Sequence, residues 1–313
     1  MTASEPGFAH LRSLLSAQAN TIVWYDICSW LEDHATEEEG PLAMAYAGTH
    51  LEEWPNKLRS RYHLDIHSPT WPLVRSLHLS DDEALYNLRH DLREEDCQHL
   101  SHLHVYVCRH PETLEWLVQQ SWFANLKSLN FGFEEPFDSM NLLAGVVWER
   151  LEEVELRHCQ LSSASWEQLV NRLSQLPLTS LCLDFCALQD IDLKALLASP
   201  ALVGLKRLRL THNQLTESFV EWLSKEEGLR ELNELVMYAS GLGERAAESI
   251  AKARWLRSVK MLDLSRNAIG DEGVKALLQS PNRSPRLRMK VLDHNNLSQE
   301  MIQKVSRHRS IIL

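Results

Sequence analysis

The sequence predicts an α/β solenoid, a curved horseshoe with a parallel sheet on its concave side, helices on its convex side and a helical cap at its N-terminus. Three observations predict it. One pattern of leucines recurs at even intervals, beginning at positions 151, 178, 205, 232 and 259. Segments with helical spacing of apolar residues lie between the copies. The segment 1–70 lacks the pattern and instead carries helix signals.

The strand element comes first. "LEEVELRHCQL" (151) stacks on "LTSLCLDFCAL" (178), "LKRLRLTHNQL" (205), "LNELVMYASGL" (232) and "VKMLDLSRNAI" (259). Looser copies begin at 74, 100, 126 and 287, giving nine. The alternating L-x-L core makes a short strand whose leucines point inward. A polar residue three positions later sits where the chain turns, able to hydrogen-bond backbone groups left over there. Cys108, Cys159, Cys186, Asn213, Asn267 and Asn295 fill that column, Ser240 stands in for them, and Asp82 and Glu134 fit less well. Cys159 beside His158 is thereby read as a buried turn residue rather than a nucleophile or metal ligand. In the copy at 287, Lys290 falls where an inward leucine is expected. The terminal Ile311, Ile312 and Leu313 are read as packing over that distorted end, the alternative being an exposed self-association tail.

The helix element follows. "SASWEQLVNRLSQL" places Trp166, Leu169, Val170 and Leu173 on one face, and "DEGVKALLQSP" offers Val274, Leu277 and Leu278. Each unit buries its apolar face only against its neighbours, so stability accumulates repeat by repeat. The pattern L-x-x-L-x-L-x-x-N/C-x-L resembles the leucine-rich repeat. "NAIGDEGVKALLQSP" (267–281) and "LLASPALVGLKRLRLTHNQL" (196–215) are similar to repeats of bacterial leucine-rich proteins found in planctomycetes and myxobacteria. Those proteins often begin with a short helical repeat-companion domain. Here "ICSWLED" (27–33) is similar to its core at Trp30, Leu31, Glu32 and Asp33, with Ile27 and Ser29 where that core has tyrosine and aspartate. The resemblance implies an α/β leucine-rich repeat solenoid over residues 71–313 and implies no chemistry.

Residues 1–70 read as helices at about 7–18, 20–34 and 41–54, with Trp24, Trp30, Trp54, Phe8, Leu11 and Leu15 as a small core. They are expected to cap the first repeat. The alternative is a docking module using the acidic loop Glu37, Glu38 and Glu39.

Composition narrows function. The formal net charge is −11, with 23 acidic and 10 basic residues in 1–150 against 20 and 22 in 151–313. The acidic front disfavours nucleic acid and anionic membranes there and favours a basic partner. No apolar run is long enough for a transmembrane helix, and the N-terminus lacks a secretory pattern. A cytoplasmic protein with six reduced cysteines is expected. No phosphate loop, HExxH or nucleophile elbow occurs, so we expect no enzyme, no cofactor and no metal.

The expected register sends three columns out of the concave face. They include His78, His104 and Cys182 between the leucines, then Tyr106, Arg157, Asp184 and Tyr238, then Phe133, His158, Phe185 and His212. Aromatics flanked by arginines dominate interface energetics. Tyr106, Phe133, Arg157, Phe185, Arg209 and Tyr238 are therefore the expected contacts to a protein or peptide partner. The remaining readings are a structural subunit of a larger assembly, and a metal-dependent sensor or enzyme built on His78, His104 or Cys182. The basic C-terminal residues Lys206, Arg207, Arg209, Lys260, Arg266 and Arg288 favour an acidic protein over nucleic acid.

Overall fold

Leucines at every second strand position and amphipathic segments between them produce, in the computed structural model, parallel strands joined by helices. The structure describes residues 8–137, 140–159, 163–199, 203–306 and 308–311. The chain divides into two compact units, residues up to Leu129 and from Asn130 onward, and the division falls within one strand, β4 (Ser128–Phe137).

The first unit opens with three helices, α1 (Ala9–Ser16), α2 (Thr21–Asp33) and α3 (Gly40–His50). Asn20 caps α2 by accepting from the Val23 N–H at 3.0 Å. Leu11, Trp24, Ile27, Leu31 and Leu51 are buried. Next comes β1 (Ser60–Arg61), a strand with no leucine pattern, parallel to β2 (Ser76–Leu79), which pairs with β3 (His102–Cys108). The helices and β1 are tied by polar contacts. Trp24 Nε1 donates to the Ser60 carbonyl at 2.8 Å, and Arg61 pairs with Glu32, which also accepts from Thr70 Oγ1 at 2.7 Å. Arg59 is buried, and among the described residues no carboxylate pairs with it. It donates to the carbonyls of Leu73 (2.8 Å) and Leu51 (3.0 Å), and burial pulls its pKa down to about 10. Short helices α4 (Glu83–Leu88), α5 (Glu94–Cys97), α6 (Pro111–Leu117) and α7 (Ser121–Ala124) complete this unit.

The second unit holds β4, β5 (Glu153–Cys159), β6 (Ser180–Asp184), β7 (Arg207–Arg209), β8 (Glu234–Val236), β9 (Met261–Asp263) and β10 (Arg288–Lys290), adjacent in chain order. From β5 to β9 the register is the same in every repeat, with Val154, Leu181, Leu208, Leu235 and Leu262 side by side across the strands. Helices α8 (Met140–Gly145), α9 (Ser163–Leu173), α10 (Asp190–Leu197), α11 (Glu217–Lys225), α12 (Glu244–Lys252) and α13 (Gly270–Gln279) pack side by side in the same order. The strand leucines are buried, so the other face of the sheet is the open one. Close approach of α12 and α13 requires Gly273, where a Cβ would lie 2.7 Å from Ile269 and 3.0 Å from Ala247. Trp166 and Trp255 bury their rings and donate to carbonyls of neighbouring repeats, Asp192 and Leu223, each at 2.9 Å.

The polar column behaves as its position demands. Asn213 Oδ1 accepts from the N–H groups of Cys186 and Leu188, and its Nδ2 donates to the Leu183 carbonyl at 2.6 Å. Asp82, an expected misfit, is fully buried and accepts from the N–H groups of Arg109 (2.9 Å) and His110 (3.0 Å). Burial alone would raise its pKa, but these donors hold it below the usual carboxylate value.

The last repeat differs from expectation by one residue. Met289 pairs with Leu262 and is buried, Val291 is buried too, and Lys290 lies opposite Asp263 on the open face. The repeat is one residue short before its strand and one longer after it, at Leu292. A lysine in the leucine position would bury an ammonium, whereas the shifted register buries two apolar side chains. Ile311 is buried and forms a parallel bridge with Met289, covering the end strand as expected; Ile312 and Leu313 lie outside the described residues. Met289→Ala is expected to cost about 2–3 kcal/mol in urea unfolding, and Lys290→Ala under about 0.5 kcal/mol. The reverse order would restore the unshifted register.

Candidate functional site

The turn that follows each strand of the second unit sets the geometry of its open face. Six residues at the same repeat position, His158, Phe185, His212, Ala239, Arg266 and His294, have φ between 49° and 56°. This left-handed conformation is costly outside glycine. All six repeats share it, so it belongs to the turn rather than to one site. It throws each side chain outward, and the exposure of His158, Phe185, His212, Arg266 and His294 follows from it.

Neighbouring strands then bring the rings into a row. Phe185 stacks between His158 (ring centroids 4.5 Å, interplanar 15°) and His212 (4.1 Å, 17°). Where Ala239 supplies no ring, Tyr238 fills the place, 5.4 Å from His212, and the Arg266 guanidinium lies 5.6 Å from its centroid. The row continues over four repeats because the strand spacing of about 4.8 Å is near ring-stacking distance. Phe185 is 42 % exposed.

Below the row is a lattice of ion pairs. Arg209 donates through Nε to Asp184 at 2.6 Å and through Nη2 to Glu155 at 2.9 Å, reaching two strands at once. Burial would lower the Arg209 pKa, but the two carboxylates raise it further above its usual value. Arg157 donates to Asn130 Oδ1 at 3.2 Å and approaches Glu155 at 3.6 Å. Each arginine is therefore held by its own chain, and the lattice fixes a preformed surface.

Of the six expected contact residues, the structure places Phe185 and Tyr238 in this row and Arg157 and Arg209 in the lattice beneath it. Phe133 differs. Strand β4 runs on to Phe137 without the left-handed turn, so Leu129, Phe131 and Phe133 all point inward, and Phe133 is 4 % exposed with its ring 5.3 Å from Phe131. As a buried core residue it offers no contact surface. Tyr106 belongs to the first unit, 40 % exposed, beside the parallel stack of His78 and His104 (4.0 Å, 3°) and with its hydroxyl 3.4 Å from His78 Nδ1. Exposed Tyr62, 5.1 Å from His78, extends that patch and was not foreseen.

Cys182 lies beneath the lattice, 3 % exposed, and burial followed by the Glu155 and Asp184 charges pushes its thiol up to about 12. It is a thiol at neutral pH, poorly suited to nucleophilic or metal chemistry. His158 and His212, on the strands to either side, stack in the ring row. Among the described residues, no three His, Cys, Asp or Glu side chains converge as metal ligands, and no helix is long and apolar enough to cross a membrane.

Residues 256–278 match the family described as Leucine Rich repeat, in keeping with the repeat pattern. No curated protein sequence matches the chain. Among solved structures, Rad7 in complex with Elc1 from yeast aligns with 98 % of this chain and 90 % of its own, at 14 % identity and a TM-score of 0.39. A protein from Bacteroides fragilis aligns over 88 % and 82 % at 12 % identity and a TM-score of 0.41. TLR13 in complex with ssRNA13 aligns with 80 % of this chain but 33 % of its own, at 22 % identity and a TM-score of 0.41.

Proposed function

We propose that this α/β leucine-rich repeat solenoid is a non-enzymatic module that binds a protein partner on the open face of its second unit. The observation that carries the reading is the row of exposed His158, Phe185 and His212 with half-buried Tyr238 at its end, set on its ion-pair lattice. It is a preformed, ring-rich surface, and ring-rich surfaces are where binding energy concentrates. Fold alone names no ligand, so the reading rests on the row and its lattice rather than on the architecture. We read the N-terminal helices as a cap for the first strands, comparable to the repeat-companion domain, and the protein as a cytoplasmic scaffold.

The test is quantitative affinity capture with the full chain. A Phe185→Asp/Tyr238→Asp double variant is expected to lose the captured partner by tenfold or more. Ile191→Asp, on the 75 % exposed α10 position away from the sheet, is expected to retain it. Retention by the double variant, with loss in Ile191→Asp, would move the interface to the helices.

A further inference from the structure

The charges of the open face are unequally satisfied. Across β7–β10 its carboxylates are already engaged. Glu234 pairs with Arg207 at 3.2 Å, Asp293 with Arg266 at 3.3 Å, and Asp263 accepts from the Ser265 N–H at 2.9 Å. The cations are in excess. Lys206, Lys260 and Arg288 are exposed and Lys290 is half-buried, and among the described residues none of the four has a carboxylate partner within 4 Å. The register places them in a track. Lys206 and Lys260 occupy the same strand-entry position two strands apart, about 10 Å. Arg288 lies beside Met261 and Lys290 beside Asp263 on the final strand. The sequence beyond strengthens the imbalance, since residues 280–313 hold seven basic and two acidic side chains.

Resting on the reading of this face as a protein-binding surface, we propose that its partner presents an acidic protein segment, laid across β7–β10 with its carboxylates on Lys206, Lys260, Arg288 and Lys290. Unpaired cations on an otherwise satisfied surface gain charge-assisted bonds without breaking any existing pair. A single-stranded nucleic acid fits less well. The rings nearby face one another at 4.1–4.5 Å and offer edges rather than faces to a base. Glu234, Asp263 and Asp293 would also meet a continuous phosphate backbone, whereas a peptide spaces its charges.

The experiment uses the full chain and a fluorescein-labelled twelve-residue peptide with glutamate at alternate positions, read by anisotropy. A single-stranded oligonucleotide of equal charge is measured beside it. The peptide is expected to bind more tightly than the oligonucleotide, and Lys260→Glu/Arg288→Glu is expected to weaken it by tenfold or more. Arg230→Glu/Arg254→Glu, at the exposed helix-side arginines that pair with Glu227, is expected to leave binding within twofold. Circular dichroism checks that every variant folds. No peptide binding, tighter oligonucleotide binding, or equal loss in both charge-reversal variants would each overturn the inference. The ring-row reading is judged separately, by loss of the captured partner in Phe185→Asp/Tyr238→Asp.

Discussion

Asn267→Ala is expected to destabilise the protein by about 3–5 kcal/mol, while Cys186→Ala at the equivalent position costs about 1 kcal/mol. Asn267 Oδ1 accepts from the N–H groups of Ser240 (3.0 Å) and Leu242 (3.1 Å), and its Nδ2 donates to the carbonyls of Met237 (2.8 Å) and Leu264 (2.9 Å). All of these groups are buried. Truncation leaves the two N–H donors and the Met237 carbonyl without partners, while the Leu264 carbonyl keeps Asn295 Nδ2 at 2.9 Å, and each buried orphan costs about 1–3 kcal/mol before partial relief by water. Cys186 has only a weak donor, its Sγ 3.3 Å from the Asp184 carbonyl and 3.6 Å from that of Leu156. Its backbone N–H is served by Asn213 of the next repeat, so alanine keeps that bond. Urea unfolding of the two variants measures the difference. Equal costs would mean that the column fills volume and does not satisfy the turn.

The repeat architecture was legible because one chemical fact is stated many times over. A leucine pair around a strand, restated in each repeat, leaves one register that turns the leucines inward in every copy, and β5 to β9 adopt it. Where the statement weakens, the reading weakens with it. Strand β1 contains only Ser60 and Arg61, with no alternation to reveal it, and it exists because Arg59 and Trp24 bond to nearby carbonyls. In "LRMKVL" two apolar registers compete, and only the charge of Lys290 separates them. The candidate site was half legible. Alternation located Tyr106, Arg157, Arg209 and Tyr238 on the open face. The fates of Phe133 and Phe185, at one repeat position, turn on a backbone conformation that no side-chain pattern announces. The lattice joining Glu155 to Arg209, 54 positions apart in sequence, was equally hidden, because it depends on a long side chain crossing an intervening strand.

Acidification is expected to weaken the first unit in two separate windows, and the first belongs to histidine. His99 and His102 are held at pKa values of about 4, in both cases chiefly by burial. Arg75 and Arg59 add to it at His99, and His78, Lys127 and Lys57 at His102. Burial likewise lowers His78, stacked on His104 nearby. In the unfolded chain an imidazole takes its proton near pH 6.5. The folded state therefore binds fewer protons between about pH 6.5 and 4, and stability falls through that window by about 1.4 kcal/mol per pH unit per histidine, at most about 3 kcal/mol each. Asp82 and Glu32 act in the same direction on the pH axis, in a lower window. Burial would raise each, yet hydrogen bonds and charge hold each below its ordinary value, so their stabilisation is intact above about pH 4 and lost only beneath it. His99→Phe keeps an aromatic ring against Trp71, and His102→Gln keeps a hydrogen-bonding group for Ser101 Oγ, while neither can take a proton. Urea unfolding at pH 7, 5.5 and 4.5 is expected to show a steep loss for the wild type and a much flatter one for the double variant. Both proteins should then fall together below pH 4, as the Asp82 and Glu32 carboxylates take up protons. An unchanged slope in the double variant above pH 4.5 would place the acid sensitivity elsewhere in the chain.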